Sequence, residues 1–370
     1  MFSGFFSPVA SPSSSFNSDT PPCPPLSLSV SIQFDGTAVK RAAGSEYAYL
    51  EFPFPGMLEA QLLVIAHGLQ DAGCKVHVYL PPTSLCRPIF SSDHPDYSVW
   101  NVTTEVIDHN AEPDYVMVTM PGTSSAMQPR VTFRVQSPIV YTSAEDWQRE
   151  LQVGIASIAQ VVDWHATGSL HVHVGRGSTS NSENGGYTLD EVKKIAMFCC
   201  RFEGVIDNFH PVPRRDHGEY HCMSNRKNGL LGPIARLRQV YERIWAAENI
   251  MDVCKIVNYC PDNDVTYNGL DRARFFKVNF TSLNKHDTIE FRQHKGIDDP
   301  QEVLEWVLFV LKLVTFATEA PIHVVAARGN TFEDLVSMIG PGTPPRIAPI
   351  VIPEEPVPDD LGTIVETDVF

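Results

Sequence analysis

The chain has 370 residues, 43% of them apolar and 10% aromatic, with a formal charge of −16. That length and apolar content support a sizeable core in one large domain or two moderate ones, and the acidity argues against nucleic acid or an anionic membrane as the main partner. No run approaches the ~18 apolar residues of a membrane span, and the eight cysteines form no CxxC pair, so a soluble cytoplasmic protein with reduced thiols is expected.

Residues 1–27 are rich in Ser, Pro and Phe and read as a disordered arm. The arm lacks the features of a signal peptide and the arginines of a mitochondrial presequence. The main domain is expected over 28–325. Within it, residues 57–72 have helical spacing, and Gly73 stands where a helix C′ glycine would. KVHVYL then alternates like a strand, and 131–140 read as extended. Ser143 with Asp146 resembles a capping box, opening a helix that buries Trp147, Leu151, Ile155, Ile158 and Val162.

A strand carrying SLHVHVG (169–175) follows, then a polar loop. Thr188 and Glu191 form a capping box for a helix with Leu189, Val192, Ile195, Phe198, Cys199, Phe202 and Ile206 on its inner side. Residues 234–248 read as a helix, basic on one face. FFKVNFTSL and DTIEFRQHK read as neighbouring strands. Pro300 sits at N1 of the last helix, with Val303, Trp306, Val307, Val310, Leu311 and Val314 inward. Residues 326–370 are expected to be a tail; its last thirty, 341–370, carry six Asp/Glu against one Arg. Strands and helices do not alternate as βα units, so the fold expected is α+β with a largely antiparallel sheet.

Two segments carry chemistry. On a strand, His171 and His173 share a face, because side chains alternate with period two, and imidazole is the commonest side-chain metal ligand. The alternative is two half-buried histidines bonded within a sheet. In TIEFRQH (288–294), Glu290 and Arg292 share a face, with Thr288 and His294 in line. A carboxylate can bind a metal, and a guanidinium can grip phosphate or carboxylate with two parallel bonds. The alternative here is an ion pair. A third stretch, His210 to Tyr220, offers Arg214 and Arg215 to an anionic substrate, or forms a solvated basic turn.

In order and spacing, HVHVG, RFEGVIDNFHP, the Arg214–Arg215 pair, FKVNF, TIEFRQHKG and a Trp-containing helix together resemble the amidoligase family common in fungi. These are carboxylate–amine ligases related to glutamine synthetase and glutamate–cysteine ligase. The resemblance spans about residues 100–320. It implies a glutamine-synthetase-like domain with a curved sheet flanked by helices, holding ATP and Mg2+ (or Mn2+). Such an enzyme joins a small-molecule or peptide carboxylate to an amine through an acyl-phosphate. By resemblance His171 and Glu290 are metal ligands, and His173, Asn279, Arg214 and Arg215 line the nucleotide or phosphate side. Arg292, with Glu290, acts on the transferring phosphoryl group. The chain departs from the family where early acidic positions hold Ser31 and Gln33 and a later one holds Arg134; Glu51 and Glu105 are the nearest replacement acids. A relative that binds nucleotide or a peptide carboxylate without turnover is therefore the alternative.

Overall fold

Alternating apolar and polar residues in the long strands build one sheet with two unlike faces. The computed structural model describes residues 25–38, 57–79, 95–104, 115–118, 126–129, 132–177, 186–215, 222–260, 273–327 and 329–340. The strands are β1 (Leu26–Ala38), β2 (Val76–Val78), β3 (Trp100–Thr104), β4 (Tyr115–Val118), β5 (Ala126–Pro129), β6 (Thr132–Gln136), β7 (Val140–Tyr141), β8 (Val162–Arg176), β9 (Val278–Asn279) and β10 (Thr288–Lys295). The helices are α1 (Met57–Asp71), α2 (Trp147–Val161), α3 (Leu189–Asp207), α4 (Leu237–Trp245), α5 (Ile250–Val257), α6 (Leu283–His286), α7 (Pro300–Glu319), α8 (Ile322–Val325) and α9 (Phe332–Ile339). A 3-10 turn spans Val212–Arg214.

The sheet runs β2-β3-β6-β1-β8-β10-β9, with β7 also paired to β1. Only the β2–β3 pair in it is parallel, and β4–β5 form a separate antiparallel ribbon. The protein is thus α+β, with an open, mostly antiparallel sheet flanked by helices, as its patterning implies. Among the described residues no helix is long and apolar enough to cross a membrane.

One face of the sheet is apolar. Leu28, Val30, Ile32 and Phe34 of β1 and Leu170, Val172 and Val174 of β8 are buried in one core with α2, α3 and α7. Burying such side chains contributes about 1.5–3 kcal/mol each. The opposite face carries Ser29, Ser31 and Gln33 of β1 and Ser169, His171 and His173 of β8, and all but the half-buried His173 are buried as well. Buried polar groups hold their place only when bonded, so this face needs a network.

Helix ends follow local rules in most cases. Thr188 and Glu191 form the expected capping box, Asp299 caps α7 ahead of Pro300, and Gly73 takes φ 84° after α1. Other boundaries are corrected. The helix after Ser143 starts at Trp147, and its N-cap Asp146 makes no side-chain cap bond, because the chain is still turning there, with Ala144 N–H on Tyr141 O. Val162 is the first residue of β8, since α2 passes directly into an extended backbone there. The basic helix is shorter than expected, and a second helix, α5, follows it. Among the described residues, β1's Leu26 and α9's Leu335 are buried in the fold, outside the limits 28 and 325 expected for the domain. Residues 1–24 of the expected arm and 341–370 of the expected tail lie outside the described residues.

Close approaches fix two glycines. A Cβ on Gly168 would lie 1.8 Å from Gln33 O, so β8 can pass β1 there only without a side chain. A Cβ on Gly154 would lie 2.0 Å from Cζ2 of the buried Trp100. Gly154→Ala is expected to push α2 off the sheet and lower unfolding free energy by about 1–3 kcal/mol, as overpacking does; urea unfolding of the single variant checks this.

Candidate functional site

The two segments singled out in the sequence fold side by side. Strands β8 and β10 pair antiparallel with Glu290 opposite His173 and Phe291 opposite Val172. The register then shifts: His294 pairs with Leu170, leaving Arg292 and Gln293 together opposite His171. That is a β-bulge, which re-aims side chains on the bulged strand. Glu290 and Arg292 therefore stay on the polar face, while His294 turns to the apolar one.

On the polar face the Glu290 carboxylate is the hub. Its Oε1 lies 2.7 Å from Arg292 Nη1 and 3.0 Å from His171 Nδ1, and its Oε2 accepts from Asn279 Nδ2 at 2.7 Å. His173 Nε2 stands 3.6 Å from Oε1. Arg292 Nη1 is also 3.3 Å from His171 Nδ1. On its other side His171 Nε2 meets Ser169 Oγ at 2.9 Å, and Ser169 Oγ bonds Gln33 Oε1 at 2.8 Å. A hydrogen-bonded row thus crosses β1, β8 and β10. His173 faces outward: its Nδ1 is 3.1 Å from Thr288 Oγ1, and its ring meets that of His286 edge-on at 6.0 Å. The exposed Tyr97 lies beyond, 6.4 Å from His286.

Charges follow from burial and partners. Burial, then Arg292, drives the His171 imidazole down to about 3, against the pull of Glu290. Burial lowers His173 as well, although Glu290 opposes it. For Glu290 burial pulls upward, but Arg292 first, then His173 and His171, hold the carboxyl well below its usual range. The site is a neutral imidazole, a carboxylate and a guanidinium, all buried.

Of the residues expected to act, the structure brings together His171, His173, Asn279, Glu290 and Arg292. It does not bring Arg214 and Arg215 to the carboxylate. Arg214 donates to the main-chain oxygens of Arg292 and Gly168, both at 3.1 Å, and so fastens the bulge. Arg215 Nε donates to His210 O at 2.5 Å. His294 is in line with Glu290 in the sequence but packs against Trp306, its ring centroid 5.2 Å away on the helix side. Sequence reasoning missed Ser282, His286 and Tyr97 at the outer end, and also Lys277. The last is fully buried, with Nζ 2.6 Å from Asp207 Oδ2; a lone Lys in the apolar run FFKVNF is the signal that could have found it. Lys277 O accepts Arg292 N–H at 2.8 Å, so this buried pair holds the strand beneath the site.

The residues present do not fit the divalent ion that the resemblance implies. Such ions draw their affinity from several oxygen ligands and their negative charge. Here Ser31, Gln33 and Ser169 line β1 and β8 beside the Glu290 carboxylate, and Arg292 Nη1 lies against both would-be ligands, His171 and Glu290. Among the described residues no group of three or more His, Cys, Asp or Glu is arranged to hold a metal. Glu51 and Glu105, the nearest replacement acids, lie outside the described residues. A separate cavity of about 600 Å3, lined by Leu26, Trp147, Arg176, Leu311 and Phe316 among others, does not include these side chains. Comparison with family models, curated proteins and solved structures finds no match to this chain.

Proposed function

We propose that this chain is a glutamine-synthetase-like, amidoligase-related domain that binds an anionic ligand, nucleotide or peptide carboxylate, on its polar sheet face without turning it over. One observation carries this reading: Arg292 Nη1 sits within 2.7 Å of Glu290 and 3.3 Å of His171, so the two groups the resemblance makes metal ligands are already bonded to a fixed cation. Phosphoryl transfer relies on positioning and on positive charge, usually metal, around the transferring group. A carboxylate already paired to a guanidinium supplies binding contacts more readily than that chemistry.

A second reading is the ligase itself, forming an amide bond with ATP and Mg2+ or Mn2+. The 3.0 Å approach of His171 to Glu290 favours it, because the resemblance requires these residues to meet. Incubating the full chain with ATP, Mg2+ and a mixture of amino acids and amines separates the two. Calorimetric binding of ATP or of a peptide carboxylate, with no release of ADP or phosphate, is the expected result. Release of ADP that disappears in Glu290→Gln would establish the ligase instead.

A further inference from the structure

Resting on the anion-binding reading, we infer that Arg292 is the resident cation of this site, so that the site takes a ligand oxyanion directly and excludes divalent metal. Three observations carry this. First, the guanidinium is held in the position a bridging ion would need: Nη1 touches both Glu290 Oε1 and His171 Nδ1, at 2.7 and 3.3 Å. The bulge at 292–293 puts it there, and Arg214, bonded to the main-chain oxygens of Arg292 and Gly168, fixes the bulge. A guanidinium presents several N–H groups in a rigid fork.

Second, the row retains donors that its own network does not use. Ser31 lies directly opposite His171 in register, on the same face, and is 4% exposed. Its hydroxyl has no hydrogen-bond partner among the described residues, and neither does Nε of Arg292. Buried donors without partners are rare in folded proteins and point to something that accepts from them. Both groups can donate to an oxygen of a ligand. The serine replaces a carboxylate of the resembled family, and so exchanges an acceptor of cations for a donor to anions.

Third, the neighbouring strand brings positive charge to this face. Arg134 lies on β6 next to β1, in register with Gln33, and its charge acts on both His171 and His173. A phosphate or carboxylate is favoured there, and a divalent cation is repelled. Phosphate and carboxylate share this chemistry, and the experiment separates them.

Mn2+ binding is read by the amplitude of the free-ion electron paramagnetic resonance signal, using the full chain and Arg292→Gln. Anion binding is read by calorimetry in EDTA and in Mg2+, with ATP in one arm and a short peptide bearing a free carboxylate in the other. The parent is expected to leave Mn2+ free and to bind one of the two anions with a Kd that agrees within about twofold in EDTA and Mg2+. Arg292→Gln is expected to weaken that binding about tenfold or more and to gain Mn2+ binding that vanishes when Glu290→Gln is added. Mn2+ uptake by the parent, or anion binding only in Mg2+, would overturn the inference. A parent that binds neither anion, together with a Mn2+-binding Arg292→Gln, would instead refute the anion-binding reading and leave Arg292 as the group that excludes metal. Should Arg292→Gln not fold, Arg292→Lys is used. It keeps the charge and loses the fork, so Mn2+ exclusion with weakened anion binding is expected, and Mn2+ uptake would again overturn the inference.

Discussion

Glu290→Ala is expected to lower the unfolding free energy by about 3–5 kcal/mol, the range found when one partner of a buried ion pair is removed. The carboxylate accepts from Asn279 and Arg292 and lies 3.0 Å from His171 Nδ1, and its side chain is 8% exposed. Without it Arg292, its side chain 9% exposed, loses its only anionic partner among the described residues. The loss belongs to the stranded charge more than to the pair, whose attraction is largely offset by desolvation. Removing both charges, as in Glu290→Leu with Arg292→Met, is therefore expected to recover much of the stability. Urea unfolding of the parent, the single and the double variant measures all three. A loss below about 1 kcal/mol for Glu290→Ala would place the pair in solvent, where ion pairs contribute little, and would contradict the buried site.

Acid is expected to weaken the fold well above the pH at which carboxylates titrate. Three buried histidines are held neutral: His171 is lowered to about 3 and His294 to about 4, both chiefly by burial. His210 is lowered well below 6.5 by burial and then by His294, Arg214, Lys277 and Arg215. A histidine with a depressed folded pKa takes its proton in the unfolded chain first. Its contribution is fully present above about pH 6.5 and is lost as pH falls toward the folded value. From pH 7.5 to 5 each of the three removes roughly 2 kcal/mol. Asp207 acts in the opposite sense. Burial raises it to about 7 against the pull of Lys277, so it binds its proton in the fold first and restores roughly 2–3 kcal/mol over the same range. A net loss of about 3–4 kcal/mol is the expected outcome, with the lowered His173 adding in the same direction. Urea unfolding at the two pH values reads it. Equal stability at both, or greater stability at pH 5, would mean that these imidazoles are not buried neutral.

What the sequence makes legible is the short-range part. The period-two pattern of HVHVG and the TIEFRQH run locate β8 and β10 and put His171, His173, Glu290 and Arg292 on one face. The caps at Thr188, Asp299 and Gly73 follow from residue types within one turn of each helix end. The bulge is not legible, because an extra residue in one strand has no side-chain signature and depends on how the partner strand is held. That single shift explains why His294 leaves the site. The contacts of Arg214 are not legible for a related reason. A basic pair after a helix looks like a solvated or substrate-binding turn, and only the tertiary fold shows main-chain oxygens in need of a donor. The neutral residues Ser31 and Gln33 are visible in the sequence as missing acids. The hydrogen-bonded row that runs from Gln33 through Ser169 to His171 depends on strand register.

The most direct measurement is the anomalous difference map of crystals of the full chain soaked with ATP and Mn2+. The site described here predicts no manganese at bonding distance from His171 or Glu290, with the Arg292 guanidinium still lying against both. A manganese ion bonded to the imidazole and the carboxylate, with Arg292 displaced, would contradict it.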